Sequence, residues 1–256
     1  MRAIKVILLG FAFLMAACTP SKNGLKKVLK ENPDILFEVI EEHPDTFLET
    51  VNKAAKEAQV RQRQKQAQTE EQQFEEEFKN PKQAKIESSY ATQGPDDAPI
   101  TIVEYSDFTC FYCAKGYTTV NDVKKKYDGK IRFVYKHMPV LSDLSMTAAK
   151  YFEAIAKDSE TKAYKFHDYI FENQDKLKSK REKFLEEATK KAGANLAQVK
   201  KLLDDESIVQ RIQADMEEGR GFGFSGTPGF LVNGVSLKGA YPAEKFYEII
   251  ERTMKK

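Results

Sequence analysis

The chain has 256 residues, 41% of them hydrophobic and 31% charged, with 41 Lys and Arg against 39 Asp and Glu. That length holds one large domain or a domain with an extension, and the near balance of charge leaves no basic surplus for nucleic acid or an anionic membrane surface. Three cysteines are too few for a structural protein stapled by disulfides.

Residues 1–17 read as an export signal: Arg2 and Lys5, an apolar run from Val6 to Met15, then Ala16, Ala17 and Cys18. The run is too short to span a membrane, which takes about 20 apolar residues. Small residues followed by cysteine resemble a bacterial lipobox, in which the Cys18 thiol is acylated and becomes the first residue of a membrane-tethered protein. Met15 departs from that pattern, which usually has Leu there; Leu14 lies one step earlier. Plain secretion is the alternative, but ordinary cleavage wants a small residue at Met15 as well. Removal of residues 1–17 leaves 39 basic and 39 acidic residues. On either reading the protein works outside the cytoplasm, where disulfides form.

From Leu25 to Val51 the sequence repeats itself at an offset of 11 residues, Glu31-Asn32-Pro33-Asp34-Ile35-Leu36 being echoed by Glu42-His43-Pro44-Asp45-Thr46-Phe47. Pro33 and Pro44 suit a first helical position, and Asp34 and Asp45 complement the helix dipole just after it. Ile35, Leu36, Val39 and Ile40 make one apolar face and Phe47, Leu48 and Val51 another. Helices this short are unstable alone and must pack on the main domain or on another chain. His43 reads as a cap or loop residue. Ala54 to Phe78 is rich in Gln, Glu, Lys, Arg and Ala, with Val60, Phe74 and Phe78 as its larger apolar residues. It reads as a solvated helical spacer, without the heptad seam of a coiled coil. Asn80-Pro81 ends it, and Gly94-Pro95-Asp96-Asp97-Ala98-Pro99 marks a domain boundary. The expected division is a helical extension over 18–90 and a main domain over 91–256.

Ile100 to Tyr105 is β-branched and aromatic, a buried strand, and it runs into Cys110-Phe111-Tyr112-Cys113 and a helix from Ala114. A turn at Tyr127-Asp128-Gly129-Lys130 leads to a second strand, Ile131 to Tyr135, so that strand, helix and strand form a parallel βαβ unit. Residues 142–218 carry successive helical patterns: Ala148, Phe152 and Ile155; Phe166, Tyr169 and Ile170; Phe184 and Ala188; Leu202 and Leu203; Ile208, Ile212 and Met216. These stripes read as core, and His167 as an ordinary helix residue. Gly221 to Gly226 fits the letters of a dinucleotide fingerprint, but it follows a helix and precedes a strand, the reverse of what that motif needs. Thr227-Pro228 then leads into Gly229 to Val232, the turn Asn233-Gly234, and Val235 to Leu237, a β-hairpin. Pro242 opens a last amphipathic helix with Phe246, Ile249 and Ile250 on one side.

The two spaced cysteines carry the chemistry. Cys110 at a helix N-terminus meets unpaired backbone N–H groups and the positive end of the dipole, which favour thiolate over thiol. Cys113 lies one turn in and can close a ring with Cys110, resolving a mixed disulfide. Half of a zinc site is a rival reading, but zinc needs two further ligands, and His43, His137 and His167 are scattered. A permanent structural disulfide is another; it would close a very small loop, whereas such bonds usually staple distant segments.

Residues 91–256 resemble the DsbA-like thiol:disulfide oxidoreductases, thioredoxin-fold proteins of the bacterial envelope. The resemblance rests on Glu104 six residues before Cys110, the Asp107-Phe108-Thr109-Cys110 run, Lys136-His137-Met138-Pro139 after the second strand, the helical insertion, and Thr227-Pro228 before the hairpin. The repeat and lipobox are similar to lipoprotein members with an added oligomerisation segment. The resemblance implies an α/β thioredoxin fold with a helical insertion after an N-terminal helical extension. It implies that Cys110 is the nucleophile, Cys113 the resolving thiol, Pro228 a cis proline, and Glu104 the buried carboxylate that relays the proton of Cys113. Glu104 is otherwise a solvent-facing strand residue, though an acid in an apolar central strand needs a reason. Thr227 would offer its backbone to a client strand, and Phe108, Phe111 and Tyr112 an apolar surface for unfolded clients. Many oxidising members have His before the second cysteine; Phe111-Tyr112 supplies no such charge, which implies a less oxidising disulfide.

The implied activity forms or reshuffles disulfides in exported proteins, with a membrane redox partner, a homo-oligomer built through residues 25–80, and no cofactor, metal or nucleic acid. Monomeric oxidase and oligomeric isomerase both remain open. The competing class is a non-catalytic, lipid-tethered peptide-binding module.

Overall fold

A computed structural model describes residues 22–255, so Cys18 and the export signal lie outside the described residues. The chain divides at residues 67 and 68 into two units.

The first unit holds helices α1 (Lys22–Glu31) and α2 (Asp34–Glu42) and the opening turns of α3 (Pro44–Lys79). Pro33 caps α2 and Pro44 is the first residue of α3, as proline's fixed φ and missing N–H favour. The second copy of the repeat thus opens one 36-residue helix and not a short one. Leu36, Phe37, Val39, Leu48 and Val51 are all exposed.

The second unit begins within α3, earlier than the turn-rich boundary at Gly94 suggests. Phe74 and Phe78, one helical turn apart, meet edge to face at 5.1 Å and pack on the core of this unit, and Arg252 lies 3.6 Å over the Phe78 ring. Arg252 also holds Glu75 through two hydrogen bonds, and the Glu77 carboxylate accepts from the Ser236 N–H. These contacts tie the last turns of α3 to the sheet and the C-terminal helix.

The sheet consists of β1 (Thr92–Gln93), β2 (Ile100–Ser106), β3 (Ile131–His137), β4 (Gly229–Val232) and β5 (Val235–Lys238), in the order β1-β3-β2-β4-β5. Helix α4 (Phe111–Lys126) connects β2 to β3, which run parallel with Glu104 opposite Tyr135 and Ser106 opposite His137. All other pairs are antiparallel. The β4–β5 turn places Asn233 at φ 47° and Gly234 at φ 84°, the left-handed pair that a two-residue hairpin requires. Asn233 also binds Thr101 in both directions through backbone and side chain, which locks the hairpin to β2.

Strand alternation sends Ile100, Ile102, Glu104 and Ser106 to one face of β2 and Val103 and Tyr105 to the other. The first face meets the large core, with Phe133 and Tyr135 of β3 beside it; the second meets a smaller cluster of Tyr90, Met138, Phe224 and Leu231. Burying one such large apolar side chain contributes about 1.5–3 kcal/mol. The insertion follows as α5 (Asp143–Ala156), α6 (Glu160–Glu172), α7 (Gln174–Lys180), α8 (Glu182–Lys191), α9 (Leu196–Leu202) and α10 (Glu206–Gly221), and α11 (Ala243–Met254) ends the unit.

Candidate active site

β2 ends at Ser106, and Asp107 turns the chain toward α4. The Asp107 Oδ1 accepts from the Thr109 N–H at 2.8 Å and hydroxyl at 2.9 Å, an Asx turn that delivers Cys110 to the N-cap of α4. Its Oδ2 accepts from the N–H groups of Val140 and Leu141 at 3.0 and 3.2 Å, fixing the loop after β3 beside the cysteine loop. From the insertion, Gln174 donates to the carbonyls of Phe108 (2.9 Å) and Cys110 (2.8 Å).

Cys110 and Cys113 are free thiols. The Cys110 Sγ donates to the Thr227 carbonyl at 3.5 Å, and the Thr227–Pro228 bond is cis. Gly116 lets α4 lie against this turn: a Cβ there would stand 3.4 Å from Pro228 Cγ and 3.0 Å from the Phe230 ring. The Cys113 Sγ accepts from the Asp107 N–H at 3.5 Å and is fully buried.

The two sulfurs are driven apart in acidity. A hydrogen bond from Cys113, aided by the Thr227 side chain and the N–H groups of Cys113 and Tyr112, outweighs burial and draws the Cys110 pKa down to about 6. Burial, then the hydrogen bond to Cys110, pushes Cys113 well above the ordinary thiol range. Near neutral pH the pair is a thiolate beside a thiol, the arrangement that attacks a disulfide at one sulfur only. The thiolate is stabilised by helix-end donors and a neighbouring thiol, without a cationic side chain between the cysteines.

Glu104 lies beneath this pair, 1% exposed, its Oε1 3.8 Å from where a Gly116 Cβ would be. Burial pushes its pKa up to about 7, opposed by Ser106 and by the charge of Lys124 on α4. Lys124 is itself drawn down to about 8 by burial; its Nζ donates to Gln93 at 2.6 Å and sits 3.7 Å over the Phe133 ring.

Cys110, Cys113, Glu104, Thr227 and Pro228 thus converge, and Phe111 and Tyr112 are 56% and 58% exposed at the mouth. Phe108 is a correction. It is 1% exposed, stacked on Tyr135 at 4.9 Å and packed against Phe152, Phe166 and Phe171, because the Asp107 turn aims it into the insertion. Val140 and Leu141, 41% and 58% exposed on the loop that Asp107 holds, supply the apolar surface that Phe108 does not. His137 and His167 are both buried among the aromatic rings of the core; His137 meets Glu153 at 3.0 Å. Lys136 points to the opposite face of β3 and pairs with Glu218 and Asp215.

Asp107 is legible as an Asx turn, since an Asp after a strand with Thr two residues on is its usual signature. Gln174, 64 residues from Cys110, and Lys124, one of three consecutive lysines, carry no such signal.

A strand and helix meeting at a dithiol, with a cis-proline turn against it, define a thioredoxin-fold protein. Residues 87–252 match the thioredoxin family. The probable disulfide bond formation protein D of Bacillus cereus is 30% identical over 159 residues, covering 57% of this chain and 72% of the relative. A sodium/proton antiporter NhaA of Herminiimonas arsenicoxydans is 30% identical over 159 residues, and there the match spans 62% of this chain but 25% of the antiporter. The oxidised crystal structure of BdbD from Bacillus subtilis superposes with a TM-score of 0.60 at 22% identity, over 69% of this chain and 98% of that one. The chain belongs to the thioredoxin family and, within it, to the DsbA-like thiol:disulfide oxidoreductases.

Proposed function

We propose that the protein is an envelope thiol:disulfide oxidoreductase that forms or reshuffles disulfides in exported proteins. The observation that carries this reading is the split between a Cys110 thiolate, 6% exposed against the cis-proline turn, and a Cys113 thiol fully buried behind it. In the oxidising direction a client thiolate attacks Cys110 of the enzyme disulfide, and Cys113 leaves and takes up a proton. A second client thiolate then attacks the mixed disulfide and releases Cys110, so the client loses two electrons and the enzyme gains them. A membrane redox partner restores the starting state. Phe111, Tyr112, Val140 and Leu141 would hold unfolded apolar segments, and the Thr227 backbone would pair with a client strand.

Anchoring through an acylated Cys18 on the periplasmic side belongs to the same proposal; among the described residues no helix is long and apolar enough to cross a membrane. The exposed apolar residues of α1, α2 and early α3 support self-association, a second copy covering Leu36, Phe37 and Leu48. Bringing two or more dithiols to one client favours reshuffling over simple oxidation.

The test compares wild type, Cys110→Ala and a Leu36→Glu/Leu48→Glu variant in oxidising a reduced client and reshuffling a scrambled one, with particle mass read by light scattering. Cys110→Ala should abolish both activities. The double variant should become monomeric and lose reshuffling more than oxidation. Equal rates for wild type and Cys110→Ala would favour the binding module, and a monomeric wild type would remove the basis for an isomerase.

A further inference from the structure

Beneath the dithiol, three buried oxygens share one small space. Glu104 Oε1, Ser106 Oγ and Tyr135 Oη are each buried without a protein hydrogen-bond partner. Their meeting follows from the sheet: Glu104 and Ser106 are two residues apart on one face of β2, and Tyr135 stands directly opposite Glu104 on β3. On the other side of Glu104, β4 offers only the Phe230 ring. The other titratable groups that face this spot are Cys110 at the N-cap of α4, Cys113 and Lys124 from α4, Asp107 after β2, His137 from β3, and Tyr164 and His167, with its partner Asp168, from α6; the His167 and His137 rings lie 4.7 and 5.3 Å from that of Tyr135.

Ser106 is the common neighbour. Its hydroxyl stands near enough to the Glu104 carboxyl, the Cys113 sulfur and the Tyr135 phenol to favour the charged form of each, yet makes a full hydrogen bond to none. A hydroxyl both donates and accepts. An unsatisfied one in the interior is costly, so its presence here calls for a role.

We propose that the Ser106 hydroxyl is the proton relay between Cys113 and Glu104. When Cys113 attacks the mixed disulfide, its S–H proton passes to the Ser106 oxygen while the Ser106 O–H proton passes to the Glu104 carboxylate. The Cys113–Cys110 bond forms, the Cys110–client bond breaks, and the client sulfur leaves with the electron pair. In the opposite direction Glu104 returns the proton to the departing Cys113 by the same path. Ser106 itself ends each passage unchanged. The inference rests on the exchange reading above and names the route its proton takes.

The full mature chain, reduced and mixed with oxidised glutathione, reports the two steps separately: capture of glutathione by Cys110, then ring closure by Cys113. In wild type, ring closure should accelerate as pH rises through about 7, where Glu104 becomes able to accept the proton. Ser106→Ala should slow ring closure about tenfold relative to capture and flatten that rise. Ser106→Thr, which keeps the hydroxyl on a strand-compatible side chain, should restore both. Adding Ser106→Ala to Glu104→Gln should cost nothing more than Glu104→Gln alone. An equal loss in both steps, an unchanged pH profile, or additive losses in the double variant would overturn the relay. A wild type inert to glutathione would instead overturn the exchange reading, and the first measurement separates that outcome from the others.

Discussion

Replacing Glu104 by Gln is expected to make the protein more stable and slower at once. Burial lifts the Glu104 pKa from an ordinary 4.5 to about 7. A carboxyl raised in the folded state binds its proton more tightly there than in the unfolded chain. The contribution of Glu104 to stability is therefore greatest below about pH 4.5 and falls as pH rises to about 7, by about 1.4 kcal/mol for each pH unit between the two values. Gln carries no such charge. At about pH 8 the Glu104→Gln variant should exceed wild type by roughly 3 to 3.5 kcal/mol, and near pH 4.5 the gap should nearly close. Urea unfolding at the two pH values reads this difference, in which the titrations of Cys110 and other groups cancel because both proteins share them. The same substitution removes the proton acceptor for Cys113 and should slow ring closure by about ten- to a hundredfold. A stability gap that does not change with pH would show that the buried carboxyl is not the group responsible.

The second large effect is expected at Asp107. Four donors converge on its carboxylate, two from Thr109 and one each from Val140 and Leu141. Asp107→Ala strands the three backbone N–H groups, while the Thr109 hydroxyl keeps Ser145 at 2.8 Å, in a region where Asp107 itself is 2% exposed. Each buried unsatisfied donor costs about 1–3 kcal/mol, and with partial rehydration the total should be about 3–5 kcal/mol. Asp107→Asn keeps one acceptor oxygen and should lose roughly half as much. Since the same carboxylate ties the Val140-Leu141 loop to the cysteine loop, Asp107→Asn should also raise KM for an unfolded client more than it alters reaction with glutathione. An Asp107→Ala variant within about 0.5 kcal/mol of wild type would contradict this account of the loop.

The parts of the fold that can be read from the sequence are those whose signals are local. β2, α4 and β3 announce themselves by a switch from β-branched alternation to helical spacing and back, and the β4–β5 hairpin by Asn233-Gly234. β1 is two residues long and exists only because β3 offers it an edge, so no period could reveal it. α7 escapes a periodicity reading because its seven residues contain a single apolar anchor, Leu177, and Arg181 at φ 52° separates it from α8 without a glycine. Turn residues misplace the division of the chain because Gly94 and Pro95 form a turn inside the second unit, whereas Phe74 and Phe78 dock within an unbroken helix. At the site, motif spacing indicates the cysteines, Glu104 and the proline turn. It cannot tell that Phe108 faces inward, since one Asx turn decides that direction.

The central claim is that Cys110 and Cys113 cycle between dithiol and disulfide with Cys110 as the attacking sulfur. The most direct test equilibrates the protein in glutathione buffers of graded potential, traps free thiols and counts them by mass, alongside a titration of thiolate absorbance. A single two-electron transition confined to this pair is expected, with a thiolate titrating near pH 6 that Cys110→Ala removes. Sulfurs that stay in one state across the whole range of buffers, or a thiolate transition that survives Cys110→Ala, would contradict it.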